Sequence, residues 1–268
     1  QDTRKASKRR RAASTAHANK NYVPTPPPRT LMAAMRNSGI PPNTSEIIIE
    51  RLRVLGDPSV LPQMARFGIA TQTALGLKIP TLRAFAREIG NNHDLAVSLW
   101  QSGIHEARIL ASMLEDPADV TPAQADAWAR DFVSWDLCDQ CCLNLFRKLP
   151  FSRELVTRWH TAQHPFTKRA AFALMAVLAV HDKKAADTTF IAWLPLIERA
   201  ADDPDNAVKK GVSWALRQIG KRSRSLHPEA VATATRIAGR DTPSARWISA
   251  DVLRELRSPA VRKRLARD

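Results

Sequence analysis

From about Ser45 onward, apolar residues recur at the three- and four-residue spacing of an α-helix, with no convincing run of alternating strand residues. Proline and glycine stand at the joints between these segments, where both residue types favour helix ends and turns. The sequence therefore predicts an all-α fold. The predicted helices cover residues 45–55, 58–66, 81–89, 93–101, 104–115, 122–132, 134–147, 152–162, 165–180, 187–201, 206–219, 227–239 and 243–256.

Several predicted helices look alike, because each begins with a cation and continues with small and apolar side chains. Arg169 and Lys210 are 41 residues apart, and Lys210 and Arg246 are 36 apart, a period typical of HEAT or armadillo helical pairs. Such repeats stack into a solenoid in which equivalent positions line up on one surface. We therefore expect a HEAT-like solenoid with a concave basic groove, lined by a row of cations: Arg108, Arg169, Lys210 and Arg246.

Local ion pairs are the alternative explanation of these cations, with Glu106 serving Arg108 and Asp241 or Asp251 serving Arg246. Cations at the same position of successive repeats, in a domain with a net positive charge, favour a groove that binds successive phosphates of a nucleic acid. Both explanations stay open at this point.

An indole accompanies the cations in the predicted helix 206–219. Trp214 lies one turn after Lys210, and Arg217 follows three residues later, so the three side chains share one helix face. Aromatic rings among cations are typical of contacts with nucleic-acid sugars and phosphates. A tryptophan alone indicates little, since four others fit the core: Trp100, Trp128, Trp159 and Trp193.

The chain is strongly basic, with a net charge of +15 and a sequence pI near 10.5. Residues 1–30 hold eight Lys or Arg and one Asp, so they contribute +7 and the other residues +8. A basic folded domain favours polyanions, nucleic acid first and anionic membranes second, although charge also serves solubility. The longest apolar run is eleven residues, short of the roughly 20 that span a bilayer, so no membrane span is expected.

The distribution of charge and composition predicts two regions in the chain. Residues 1–30 are rich in Lys, Arg, Ser and Pro and predict a disordered tail, whereas residues 31–268 form the folded domain. The tail run 8–11 fits a phosphate-binding arm, a nuclear signal or part of an organelle transit peptide. We expect a monomer in a bacterial cytoplasm, associated with the nucleoid, or a nuclear or organellar protein in a eukaryote.

The stretch 134–146 looks like a functional site. At helical spacing, Trp135 and Asp139 share an otherwise apolar face, which is a costly place for a carboxylate. Such an Asp either forms an ion pair with an Arg or Lys of the next helix or has a functional role in contact with a cationic ligand. Asp136 instead fits the first turn of a helix capped by Ser134.

Three cysteines crowd the same helix, and their odd number and close spacing do not form a disulfide framework. A reducing compartment fits best. A metal site would need His160 or His164, and one helical turn offers no zinc-ribbon spacing. Neither a metal nor a cofactor is therefore predicted.

Four separated motifs carry a family resemblance, and they occur in the order 103–108 (GIHEAR), 134–139 (SWDLCD), 166–171 (FTKRAA) and 208–220 (VKKGVSWALRQIG). Together they resemble the AlkD-like DNA alkylation repair glycosylases over about residues 45–257. The resemblance implies a HEAT-like solenoid whose concave face binds double-stranded DNA. It also implies a monofunctional glycosylase that removes cationic alkylated bases such as 3-methyladenine and 7-methylguanine.

The resemblance also implies roles for individual residues. Asp139 would stabilise the oxocarbenium-like sugar and orient water, Trp135 and Trp214 would hold the deoxyribose, and Arg169 would grip a phosphate. These are the expected catalytic residues. The expected DNA-binding residues are Arg108, Lys168, Lys209, Lys210, Arg217 and Arg246.

The sequence also departs from the pattern of the family. Its three cysteines, Cys138, Cys141 and Cys142, and the segment 76–80 are nearer to a divergent branch, and some branches bind DNA without excising bases. A DNA-structure binder is therefore one alternative, and a HEAT-type scaffold with an acidic protein partner is another.

Overall fold

The computed structural model describes residues 44–267, and within that range it contains fourteen α-helices and no strand. The all-α prediction is thereby confirmed. Short 3-10 turns cover Pro58–Val60, Phe146–Lys148 and Ala200–Asp202. The helices are α1 Ser45–Leu55, α2 Leu61–Arg66, α3 Ile79–Ile89, α4 His93–Gln101, α5 His105–Leu114, α6 Pro122–Arg130, α7 Trp135–Asn144, α8 Ser152–Trp159, α9 Pro165–His181, α10 Asp187–Arg199, α11 Asn206–Gly220, α12 Leu226–Ala238, α13 Pro243–Leu256 and α14 Pro259–Leu265.

Every predicted helix overlaps an observed one, and the differences lie at the ends. Helix α3 begins at Ile79 rather than residue 81, because Pro80 is tolerated in a first helical turn. Helix α14 was not predicted. It is a short polar helix in which Ser258 caps the start and only Val261 and Leu265 are buried, so its apolar signal is weak. The predicted tail 1–30 lies outside the described residues.

The helices form two layers. Each inner helix packs on the next inner helix, so that α5, α7, α9, α11 and α13 stand side by side. Outer helices pack against them, with α4 on α5, α8 on α9 and α12 on both α11 and α13. This is the stacked pattern expected of helical-pair repeats.

Helix α9 is the centre of this stack, because the stretch 170–179 is buried on all sides. Helix α11 approaches it closely at Gly211, where an added Cβ would lie 3.3 Å from the Arg169 Cγ. The apolar run noted in the sequence is therefore an inner helix of the core. None of the described helices is long and apolar enough to cross a membrane.

A loop ahead of α3 closes one side of the inner layer. The carboxylate of Glu106, at 1% exposure, accepts hydrogen bonds from the backbone N–H groups of Leu75 and Gly76 at 2.7 Å, and of Leu77 at 3.2 Å. Gly76 has a φ of 84°, and an added Cβ would lie 2.2 Å from the Asp57 carbonyl oxygen. Glu106 thus anchors this loop, and the idea that it pairs with Arg108 was wrong.

Candidate active site

Helix α7 is fixed on α9 by its apolar face. Ser134 precedes it in an extended conformation, and its hydroxyl donates to Asp136 Oδ1 at 2.6 Å. The thiols of Cys138 and Cys142 lie 3.5 and 3.6 Å from backbone carbonyl oxygens of α9. All three cysteines are buried and free, and burial raises the pKa of each thiol. They pack the helix rather than react.

The Asp139 carboxylate is held by Arg169 of α9 through two bonds. Arg169 Nε donates to Oδ1 at 2.9 Å, and Nη2 donates to Oδ2 at 2.8 Å. The Nη1 group donates to the Ala207 carbonyl oxygen at 2.7 Å, which ties the pair to α11. Burial raises the pKa of Asp139, and the adjacent guanidinium opposes that rise. The sequence suggested a cation of the next helix as partner; the partner is an arginine, but it belongs to α9, the next inner helix, and not to α8.

Trp135 lies beside this ion pair with 36% of its surface exposed. The Arg169 guanidinium carbon is 5.9 Å from the centre of the indole ring, within cation–π range. On its other edge the indole Nε1 donates to the Phe67 carbonyl oxygen at 2.9 Å. The ring is therefore oriented from two sides and still presents a face to solvent.

A cavity of about 870 Å³ contains three of the four expected catalytic residues, Trp135, Asp139 and Trp214. Its other walls come from α9, α11 and the N-terminal segment, including Met64 and Leu77. This volume lies within the roughly 300–1,000 Å³ of pockets that bury small ligands. Arg169 does not line it. Arg169 lines a second cavity of about 450 Å³, which shares Trp135 as a wall.

His105 is a cavity residue that the sequence reasoning missed, although it stands in the motif 103–108. Its Nε2 is 2.9 Å from Asp136 Oδ2, and its buried Nδ1 has no hydrogen-bond partner among the described residues. Burial lowers the pKa of His105, but the bond and charge of Asp136 raise it more, so the net pKa is raised. Conversely, burial raises the pKa of Asp136 and the His105 and Ser134 bonds lower it more, so its net pKa is lowered.

Two of the expected DNA-binding cations have local partners at the two ends of the row. Arg108 donates to the Trp100 carbonyl oxygen at 3.1 Å and lies 3.6 Å from the Asp131 carboxylate. Arg246 donates to the carbonyl oxygen of Asp241 at 2.6 Å and is 58% exposed. The local-pair explanation therefore holds for Arg246 with Asp241, and for Arg108 with a different partner.

The remaining expected DNA-binding residues differ in whether an acidic side chain already pairs with them. Lys168 pairs with Asp203 at 2.9 Å, and Arg217 pairs with Glu255 at 2.6 Å. Lys210 is exposed and makes no ion pair within the described range. Lys209 instead approaches an aromatic ring, that of Trp247, at 5.2 Å. Contact of these six residues with DNA, and a basic groove, stay predictions.

Comparisons with known proteins agree with this architecture. Residues 48–251 match the sequence profile of a family described as DNA alkylation repair enzyme. The fold matches a solved structure with a TM-score of 0.66 at 16% sequence identity, covering 79% of this chain and 94% of that chain. That structure is described as "a new family of proteins related to the HEAT-like repeat DNA glycosylases with affinity for branched DNA structures". No curated protein matches the chain significantly. The HEAT-like prediction is thus confirmed.

Proposed function

The chain belongs to the DNA alkylation repair enzyme family, and on that basis we propose that it is a monofunctional DNA glycosylase. It removes cationic N-alkylated purines, such as 3-methyladenine and 7-methylguanine, from double-stranded DNA by hydrolysing the N-glycosidic bond. The observation that carries this proposal is the oriented Asp139 carboxylate in a cavity with the indoles of Trp135 and Trp214.

Hydrolysis of this N-glycosidic bond requires groups that stabilise a cation, which a carboxylate and two indoles can do. An N-alkylated purine already carries positive charge and leaves readily, so the difficulty is the oxocarbenium-like sugar that develops as the bond breaks. A carboxylate fixed before the reaction stabilises that charge without reorganisation. Asp139 has this role, and it also orients the attacking water. The two indoles hold the deoxyribose and attract the cation through their faces.

Arg169 acts in this proposal as a positioning residue for Asp139, because its donors already bind that carboxylate and the Ala207 carbonyl oxygen. The positive charge of Arg169 also reduces the stabilisation that Asp139 gives to the sugar cation. At an effective dielectric constant of about 20, a sugar cation about 4 Å from the carboxylate gains about 4 kcal/mol, and a guanidinium about 8 Å away costs about 2 kcal/mol. The net attraction of about 2 kcal/mol corresponds to about a thirtyfold rate effect.

Base release from methylated duplex DNA, measured beside thermal unfolding, tests this role. We expect Asp139→Asn to lower single-turnover release of 7-methylguanine at least about thirtyfold. It should also cost about 3–5 kcal/mol of unfolding free energy, because Arg169 is left buried and unpaired. Adding Arg169→Met removes that stranded charge, so the double variant should regain stability without regaining base release.

The matched control is Asp126→Asn, which removes another carboxylate paired with an arginine, Arg158, on the outer helices. We expect it to leave base release within about twofold of the wild type, because Asp126 does not line the cavity that contains Asp139. If the Asp139→Asn/Arg169→Met variant regains both stability and base release, Asp139 has only a structural role.

DNA binding without base removal is the second candidate. It is favoured by the ion pair itself, because both oxygens of Asp139 already accept hydrogen bonds from Arg169. The solved structure with the same fold is described as having affinity for branched DNA. A wild-type protein that binds branched DNA but releases no base from methylated duplex would select this candidate.

A further inference from the structure

A band of exposed aromatic rings follows the beginnings of the inner helices. Four of the seven tryptophans are buried with at most 6% exposure, whereas Trp135 and Trp247 are 36% and 41% exposed. Phe67, whose carbonyl oxygen binds the Trp135 indole, is 64% exposed. Trp135 begins α7 and Trp247 lies in the second turn of α13. These rings lie outside the buried core.

The second cavity lies at one end of this band. Its volume is about 450 Å³, and rings of Phe67, Trp135 and Phe166 line it together with the exposed Lys210. Asn206, at the start of α11, adds an amide. Flat aromatic walls suit the face of a nucleobase, and an ammonium suits the adjoining phosphate.

The other end of the band is the pair formed by Lys209 and Trp247. The Lys209 Nζ is 5.2 Å from the centre of the Trp247 ring, so the cation and the indole face are presented together. Arg246, 58% exposed, is the neighbouring residue in the chain. Lys209 and Lys210 are consecutive, so the same turn of α11 carries the cation beside Trp247 and a cation that lines the second cavity.

The length of the band sets the number of nucleotides that it can contact. From α7 through α9 and α11 to α13 there are three steps between neighbouring inner helices, each about 8–10 Å. The band therefore spans about 24–30 Å. At about 3.4 Å per stacked nucleotide, this corresponds to seven to nine nucleotides of one strand.

We propose that this band binds a single-stranded segment of DNA. One unpaired base stacks in the second cavity, and another stacks on Trp247 about seven to nine nucleotides away, with the lysines beside the intervening phosphates. A duplex fits less well, because its bases are paired and stacked and do not present their faces to protein rings. The partner is thus a DNA with an unpaired strand, which goes beyond excision of a base from duplex DNA.

Binding of unmethylated oligonucleotides by the full chain tests this surface, with fluorescence anisotropy on a single strand of about 20 nucleotides, a fork and a blunt duplex. We expect Trp247→Ala and Phe67→Ala each to weaken single-strand binding about 5- to 150-fold, the usual effect of losing one stacked base. Duplex binding should change less than about twofold. Trp247→Phe keeps a ring and should restore most of the affinity.

The matched control is Ile191→Ala on α10, since Ile191 is an apolar residue with the same 41% exposure on an outer helix. It should leave every affinity unchanged. Shortening the single strand to about three nucleotides should abolish the effect of either alanine substitution, because even an extended strand of that length does not reach both platforms. Equal losses for single strand and duplex, or no loss in either alanine variant, would overturn the proposal.

Base release separates this inference from the proposed glycosylase. Trp247→Ala should release 7-methylguanine from blunt methylated duplex at the wild-type rate, since Trp247 does not line the cavity with Asp139. A protein that lacks glycosylase activity but shows the expected single-strand losses would keep this inference and reject the enzyme.

Discussion

His105 and Asp136 form a second ion pair in the wall of the main cavity, beside the pair of Asp139 with Arg169. The His105 ring is 3% exposed, and its Nε2 lies 2.9 Å from Asp136 Oδ2. The net pKa of His105 is raised and that of Asp136 is lowered, so the protonated histidine and the ionised aspartate stabilise one another.

The stability of the wild type relative to His105→Gln should therefore depend on pH. The part due to His105 is fully present below about pH 6.5, its unperturbed pKa, and is lost as pH rises through the raised folded pKa. The part due to Asp136 is present above about pH 4 and is lost as pH falls through the lowered pKa. Thermal melting should show the largest difference near about pH 5.5 and a smaller one near pH 9, by about 1.4 kcal/mol per unit of raised pKa.

His160→Gln serves as the control, because the His160 ring bonds only a backbone carbonyl oxygen of its own helix, at 2.7 Å. A stability difference for His105→Gln that stays constant between these pH values would show that the pair contributes through packing and not through charge.

The partners of single residues were the least predictable part of the site. Helical spacing correctly placed Asp139 and Trp135 together, and it left both explanations of Asp139 open. Asp136 was explained by the helix dipole alone, because its partner His105 lies 31 residues away in sequence. Spacing within one helix indicates which side chains share a face, but contacts between helices depend on rotation and distance that the sequence does not contain.

At the scale of elements, the loop 73–78 forms a wall of the cavity and is held by one carboxylate. Leu77 and Lys78 line the cavity, while Glu106 beneath them accepts the N–H groups of Leu75, Gly76 and Leu77. Glu106 belongs to α5, so these bonds attach the loop to the inner layer.

Glu106→Gln should loosen this loop. The amide has one acceptor oxygen and a donor group that cannot receive an N–H bond, so we expect a loss of about 1.5–3 kcal/mol in unfolding free energy. Amide exchange at Leu75, Gly76 and Leu77 should accelerate more than exchange in α9.

Glu229→Gln provides the comparison, because Glu229 is an exposed residue in the first turn of α12. It should cost at most about 0.5 kcal/mol. Unchanged exchange at the loop in Glu106→Gln would contradict the anchoring role.

Elements with a strong apolar signal, either periodic or continuous, were predictable, and irregular ones were not. The spacing placed α9 and α11 within one residue at each end. It carried helix 134–147 through Leu145, where the backbone leaves the α-helix and continues as the 3-10 turn Phe146–Lys148. It also gave no sign that the loop 73–78 folds onto α5, because a loop held by backbone N–H groups leaves no side-chain pattern.

At the scale of the whole molecule, net charge indicated a polyanionic partner but not where it binds. The chain has a net charge of +15, of which residues 1–30 supply +7, outside the described range. Within the described range, Arg108, Lys168 and Arg217 are engaged in ion pairs. Composition counts such cations equally with free ones, although a paired cation neutralises less of a phosphate charge.

Lys210 should therefore contribute more to duplex binding than Lys168, although both lie in the expected DNA-binding set. Lys210 is exposed and makes no ion pair with a described residue, whereas Lys168 is 2.9 Å from Asp203 with 22% of its side chain exposed. Each phosphate neutralised adds about −0.9 to the slope of log K against log salt. We expect Lys210→Gln to reduce the magnitude of this slope by about 0.9 and Lys168→Gln by clearly less.

Duplex affinities of the full chain at salt concentrations between about 50 and 200 mM give these slopes directly. The two lysine variants control for each other, since each removes one positive charge and the two variants therefore have the same net charge. Equal reductions would show that DNA displaces Asp203 from Lys168, and an unchanged slope in Lys210→Gln would place the phosphates away from the second cavity. In that second case the duplex would have to bind cations outside the row of Arg108, Arg169, Lys210 and Arg246. Within the described residues, Lys210 is the member of this row that forms no ion pair.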